Sequence, residues 1–252
     1  MKLTTYNKVR YFQSNLLISH NFFHAFFVKR FKKNEPIELQ NQLDITSNIH
    51  FSKQVHGNKV IKIKSTSNLR PKTADSLITN EKNHSLWIYT ADCIPILIAD
   101  IKTRNIAACH SGLMGLRKQI ISKTLKRLLN IGSKKKNLII AIGPSIKGAN
   151  YQVKLKDVDG LIIQITGKRL LNKSIYIAKG NKELIIPLFK KDPMQERLFF
   201  DLQAAAILQL YKEGITQSQI SLNRLCTYSN PRLFNSYRRD SSNQRQWSCI
   251  YS

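Results

Sequence analysis

The feature that most limits how this chain can fold is a series of short, dense apolar runs separated by brief polar connections. Leu86–Thr90, Ile94–Ala99 and Ile106–Cys109 follow in close succession, and Leu138–Ile142 repeats the pattern before Gly143-Pro144. Runs of this length, bounded by turn residues, read as buried strands. Asn58–Ile63 alternates, as a half-buried strand does, and Ile220–Cys226 is a late strand candidate. Apolar residues recur at helical spacing in Leu116–Leu129, Leu155–Thr166 and Leu202–Glu213, the last preceded by Asp201 as N-cap. The pattern predicts a mixed α/β chain. No repeat, low-complexity linker or Pro/Gly-rich hinge interrupts it. One domain over residues 1–252 is expected, with residues 1–20 a loosely ordered N-terminal extension.

Composition excludes several classes. At 42% hydrophobic residues the chain is too apolar for intrinsic disorder. No window nears the roughly 18 consecutive apolar residues of a membrane span. The start, Met1-Lys2-Leu3-Thr4-Thr5-Tyr6-Asn7, lacks the charged and apolar regions of a secretory signal. A cytoplasmic location is expected, with Cys93, Cys109, Cys226 and Cys249 as reduced thiols. Lys and Arg total 41 against 15 Asp and Glu, a net charge of +26. Such a balance ordinarily points to nucleic acid. Here the basic residues are scattered, dense only at Lys29–Lys33 and Lys134–Lys136, without aromatic interleaving. Weak, salt-sensitive association with polyanions follows, but no specific nucleic-acid partner and no membrane.

Reactive side chains sit where apolar runs end: Cys93, His110 and Cys226. Loops on a rigid strand scaffold are where chemistry tends to lie. Together with His56, the first two offer two imidazoles and a thiolate, natural zinc ligands that leave a fourth position open. Asp92 is placed to orient a ligand from behind. No pair stands at a spacing that forces convergence. On residue types alone, a core cysteine and loop histidines are the simpler reading.

The flanking residues add to this. Gln54-Val55-His56-Gly57, Ala74-Asp75-Ser76-Leu77-Ile78-Thr79, Thr90-Ala91-Asp92-Cys93-Ile94-Pro95, His110-Ser111-Gly112, Gly143-Pro144-Ser145-Ile146 and Asn235-Ser236-Tyr237-Arg238-Arg239-Asp240 occur in this order. Together they resemble the YfiH family, variously labelled polyphenol oxidase, laccase-domain protein, peptidoglycan editing factor and purine nucleoside phosphorylase. The resemblance implies an α/β/β/α-layered sandwich with mixed sheets. It also implies a zinc site of His56, Cys93 and His110, which would carry catalysis, with copper able to take the same site. The implied activities are purine nucleoside phosphorolysis and adenosine deamination, with purine nucleoside and phosphate as ligands. Arg30, Asp75, Tyr237, Arg238 and Arg239 are the substrate-binding candidates.

The chain departs from the family where His-Ala-Gly-Trp-Arg-Gly becomes His110-Ser111-Gly112-Leu113-Met114-Gly115. The Trp and Arg are missing, with Arg117 a nearby replacement. Three alternatives stand beside the phosphorylase. One is a Cys/His amidase acting in peptidoglycan precursor editing, with Cys93 as nucleophile. Another is a copper-dependent polyphenol oxidase, for which six histidines are few. The last is a catalytically impaired basic binding protein.

Overall fold

Each dense apolar run becomes a strand buried on both faces. The computed structural model describes residues 1–29, 35–65, 71–167, 187–194 and 196–251. In chain order these form β1 (Lys2–Tyr6), β2 (Val9–Gln13), α1 (Asn15–Ile18), β3 (His24–Phe27), α2 (Pro36–Gln42), β4 (Asn48–Phe51), β5 (Val60–Lys62), β6 (Ser76–Thr79), β7 (His84–Thr90), β8 (Ile94–Asp100), β9 (Ile106–Ser111), α3 (Leu113–Arg117) and α4 (Ile120–Leu129). They continue with β10 (Leu138–Ile142), β11 (Gln152–Lys154), α5 (Leu155–Thr166), β12 (Phe189–Lys191), β13 (Arg197–Phe200), α6 (Leu202–Lys212), β14 (Ile220–Leu222), α7 (Tyr237–Asp240) and β15 (Gln246–Tyr251).

Two six-stranded sheets run in the orders β1-β2-β3-β15-β7-β4 and β14-β10-β8-β9-β6-β5, beside a small sheet β11-β13-β12. Both large sheets are mixed: β4–β7, β5–β6 and β10–β14 pair in parallel, the rest antiparallel. Side chains alternate between faces with period two, and here both faces are covered. Ile94, Ile96 and Ile98 of β8 join Leu125 of α4, Leu161 of α5 and Leu208 of α6. Leu97 and Ala99, pointing the other way, meet Phe26, Leu86 and Ile88 of the first sheet. Behind that sheet, Trp87 and Phe27 pack with Leu39 of α2. The layers are therefore helix, sheet, sheet, helices, the mixed α/β sandwich that the resemblance implies.

Two details differ from the sequence reading. Residues 1–20, expected as a loose extension, carry β1, β2 and α1, and bury Val9, Phe12 and Leu17 in the core. The helix expected over Leu116–Leu129 is two, because Gln119 takes a left-handed backbone (φ 59°) between α3 and α4. No helix among the described residues is long and apolar enough to cross a membrane.

His24 is fully buried and locked as one neutral tautomer. Its Nε2 accepts from the Ser14 amide at 2.6 Å, so Nδ1 carries the proton and donates to the Phe22 carbonyl at 3.0 Å. Burial lowers its pKa to about 4, against the opposing effect of the Phe22 bond. The unfolded chain binds this proton near pH 6.5 and the folded chain only near 4. Stability from His24 is therefore intact above pH 6.5 and is lost as pH falls towards 4, by on the order of 3 kcal/mol. Urea midpoints from pH 7 to 4, with an NMR titration of the His24 ring, test this. A ring that titrates near 6.5 contradicts it.

Candidate metal centre

Two turns and a strand end at one end of the second sheet bring the chemistry together. His56 lies in the turn before β5, with φ 55°. Cys93 follows Asp92 in the tight β7–β8 connection, where Asp92 has φ 81°. His110 stands near the end of β9, and the β8–β9 register pairs Pro95 with His110 and Ile94 with Ser111. That register sets Cys93 beside the end of β9. One donor atom from each of His56, Cys93 and His110 lies within 4.8 Å of the others. Among the described residues this is the one group of three or more His, Cys, Asp and Glu side chains able to hold a metal.

The trio fits an ion. Cys93 Sγ and His56 Nε2 are 3.8 Å apart, and the two imidazole rings meet edge to face with centroids 4.9 Å apart. Tetrahedral zinc, with nitrogen at about 2.0–2.1 Å and sulfur at about 2.3 Å, separates such ligand atoms by about 3.5 Å. Two imidazoles and a thiolate suit zinc and copper alike. Gly112 is needed for the close approach: a Cβ there would stand 2.6 Å from Cys93 Sγ.

Asp75 organises the trio from behind. It is fully buried just before β6 and accepts from the backbone N–H groups of Val55, His56 and Gly57 at 3.2, 2.9 and 2.7 Å. Its Oδ1 also lies 2.9 Å from His110 Nδ1, and its carbonyl accepts from the His110 amide at 2.8 Å. His110 Nδ1 therefore donates to Asp75, leaving Nε2 for a ligand. Burial pushes the Asp75 carboxyl up, but the His110 bond and the backbone donors outweigh it and hold it below the usual range. Burial likewise pushes the part-exposed Cys93 thiol up, and the neighbouring His110 and His56 bring it below the ordinary thiol value. Burial lowers His110, while the Cys93 charge and the Asp75 bond raise it above the ordinary imidazole value.

The two aspartates exchange their expected parts. Asp75, expected to bind substrate, has its oxygens turned inward to His110 and the His56 turn. Asp92, expected to orient a metal ligand, instead ties three segments to the Cys93 turn. Its carboxylate accepts from Thr227 Oγ1 at 2.6 Å, Ser236 Oγ at 3.0 Å and the Arg238 amide at 2.7 Å. Its carbonyl accepts from the Ile146 amide at 3.0 Å.

The candidate arginines separate as sharply. Arg239 spends all five N–H groups, on the carbonyls of Thr227, Tyr228 and Phe234 and on both oxygens of Asp240. It holds the loop together and has no donor left for a substrate. Arg238 gives one bond, to the Gln152 carbonyl at 3.1 Å, and lies 5.1 Å from the Tyr151 ring centroid. Tyr237 is 55% exposed beside Arg245. Arg30 lies outside the described residues. Arg117 rests against the Met114 sulfur at 3.6 Å. A cavity of about 520 Å³ opens nearby between Phe27, Lys29, Tyr89, Arg245 and Trp247, but neither the metal trio nor Tyr237–Arg239 lines it. Sequence reasoning passed over Tyr151, since its contact with Arg238 joins segments 86 residues apart at Gln152.

The profile of a family described as multi-copper polyphenol oxidoreductase laccase matches residues 31–252. A Synechocystis protein named purine nucleoside phosphorylase is 32% identical over 237 residues, 91% of this chain and 89% of its own. A Rickettsia conorii protein of the same name is 31% identical over 225 residues, 87% and 85% of the two chains. The crystal structure of YlmD from Geobacillus stearothermophilus shares the fold, with a TM-score of 0.80, 19% identity, and 96% and 95% of the chains covered. That of Bacillus licheniformis YfiH gives a TM-score of 0.77 at 20% identity, covering 91% and 92%.

Asp75→Asn keeps the shape but weakens the anchor of His110. Zinc affinity is expected to fall roughly 10–100-fold with the fold retained. Competition with a chromophoric chelator, alongside circular dichroism, measures both. Unchanged affinity would remove Asp75 from the site. Gly112→Ala is expected to displace Cys93 Sγ and lower affinity by the same assay.

Proposed function

The chain belongs to the multi-copper polyphenol oxidoreductase laccase family, and from that premise we propose that it is a zinc-dependent purine nucleoside phosphorylase that also deaminates adenosine. The observation that carries this reading is a guanidinium with open donors, Arg238, tied through its own backbone to the residue beside Cys93. Phosphorolysis forms a bond from a phosphate oxygen to the ribose C1′ as the bond from C1′ to the purine nitrogen breaks. The phosphate needs fork-shaped cationic donors, and the departing purine needs a proton. Arg238 supplies the first. The second is balanced by the proton that hydrogenphosphate gives up as its oxygen bonds C1′, while His110, oriented by Asp75 through Nδ1, keeps Nε2 as a ligand atom. Tyr237 offers an exposed ring against which a base can stack. His56, Cys93 and His110 would hold the metal, which when bound supplies Lewis-acid chemistry. The purine nucleoside phosphorylase names of the relatives support the same substrates.

The family description speaks of several coppers. Of the six histidines, His24 is engaged in structural hydrogen bonds, and His50 and His84 face each other in the interior at 2.7 Å. A single-ion centre suits the remaining donors better than a copper cluster. Weak polyanion association and a cytoplasmic setting complete the reading, on the strength of the +26 charge and four free thiols.

A second reading has its own support. Cys93, His110 and Asp75 form a nucleophile, base and orienting carboxylate in sequence of contact, the arrangement of a cysteine hydrolase. The first experiment supplies the zinc-loaded protein with adenosine, with and without phosphate, and identifies products by mass. Phosphate-dependent adenine is expected, with inosine as the deamination product. Cys93→Ala is expected to lose zinc and at least about 100-fold in turnover while remaining folded. Activity that survives a chelator but dies on thiol alkylation transfers the assignment to the hydrolase.

A further inference from the structure

Arg238 is held at three points. Its amide sits on Asp92 Oδ2 at 2.7 Å, one N–H reaches the Gln152 carbonyl at 3.1 Å, and its Cζ lies 5.1 Å from the Tyr151 ring centroid. An arginine over an aromatic face loses little further freedom when it grips an anion. Its remaining N–H groups have no partner among the described residues.

Tyr151 itself is half-buried, and its hydroxyl makes no hydrogen bond among the described residues. Its ring is the face over which the Arg238 guanidinium lies, and Arg238 is tied through its amide to Asp92, the neighbour of Cys93. As a phenol it is a donor at neutral pH, and burial raises its pKa further, to about 12. A bound donor of this kind beside an open guanidinium is what a tetrahedral oxyanion requires.

Asp92 fixes the pair. At φ 81° it holds a backbone conformation that costs most residues energy and that Asp tolerates. From there its carboxylate pins Thr227, Ser236 and Arg238 to the turn that presents Cys93.

We propose that Tyr151 and Arg238 form the phosphate subsite of this centre, and that Asp92 is the positioning residue that fixes it against Cys93. The proposal rests on the phosphorolytic reading and adds to it a hydroxyl donor and the device that places it.

The test measures inorganic phosphate binding by calorimetry and phosphate KM by steady-state assay, on zinc-loaded protein with zinc content checked in each variant. Tyr151→Phe keeps the ring under Arg238 and removes only the hydroxyl. It is expected to weaken phosphate binding about 10-fold, and to raise phosphate KM in step, with kcat changed less than about threefold. Asp92→Gly keeps the left-handed turn and deletes the carboxylate, and is expected to weaken phosphate at least as much. Asp92→Asn, which retains one acceptor oxygen, is expected to recover part of that loss, which a general loosening of the fold would not produce. Wild-type phosphate binding weakened by Tyr151→Phe and Asp92→Gly, with no nucleoside turnover, upholds the subsite and dismisses the phosphorylase. Phosphate-dependent turnover with KM unchanged in both variants upholds the phosphorylase and overturns the subsite. Failure of the wild type to bind phosphate overturns the subsite as well.

Discussion

The carboxylate of Asp75 is the interaction on which the centre depends. It lies immediately before β6 with no exposure to solvent, and a charge there is tolerable only because donors surround it. Three consecutive amides, of Val55, His56 and Gly57, turn towards it, which bends the chain so that His56 takes its left-handed backbone. The fourth donor, His110 Nδ1, arrives from β9, paired with β6 in the same sheet. One buried acceptor therefore fixes the position of one histidine and the tautomer of the other. Removing it leaves three amides and an imidazole without their shared acceptor, the cost that a polar network imposes when one member is lost.

The double-layered sheet supplies the stiffness this arrangement needs. β8, β9 and β10 carry apolar residues on both faces, one set packed on the helices and the other on the first sheet. Such strands cannot slip by one residue without exchanging two complete cores. The register that sets Cys93 beside the end of β9 is thus fixed by packing far from the site. The turns at the strand ends are then free to adopt uncommon backbone geometry, as His56 and Asp92 do, because the strands hold their ends in place.

Arg238 and Arg239 show how little adjacency says about role. Both are cations on a four-residue helix, and both resemble a motif that suggests substrate binding. Arg239 spends every donor on loop carbonyls and Asp240, while Arg238 keeps most of its own open over Tyr151. The net charge of +26 says nothing about this difference. What separates the two is which backbone carbonyls the folded loop turns inward, and that follows from the bonds that Asp92 makes to Thr227 and Ser236.

The layers were legible in the sequence because burial on two faces requires dense apolar runs, and β8, β9 and β10 carry them unmistakably. α5 and α6 were legible from apolar spacing, and α6 also from its Asp201 cap, which accepts from the Ala204 amide at 2.8 Å. The break at Gln119 was not, since a left-handed residue inside an apolar stripe leaves the stripe intact. Residues 1–20 were hidden for the opposite reason: β1 is an edge strand with mostly exposed side chains, and its pairing with β2 is backbone bonding that composition does not reveal. His56, Cys93 and His110 were legible as residue types and through family resemblance. Their convergence, the inward turn of Asp75, the reach of Asp92 across the molecule and the contact of Arg238 with Tyr151 were decided by tertiary structure alone. Each of these joins strand ends and loops distant in sequence, and no local spacing of side chains encodes a distance that only the packed sheets create.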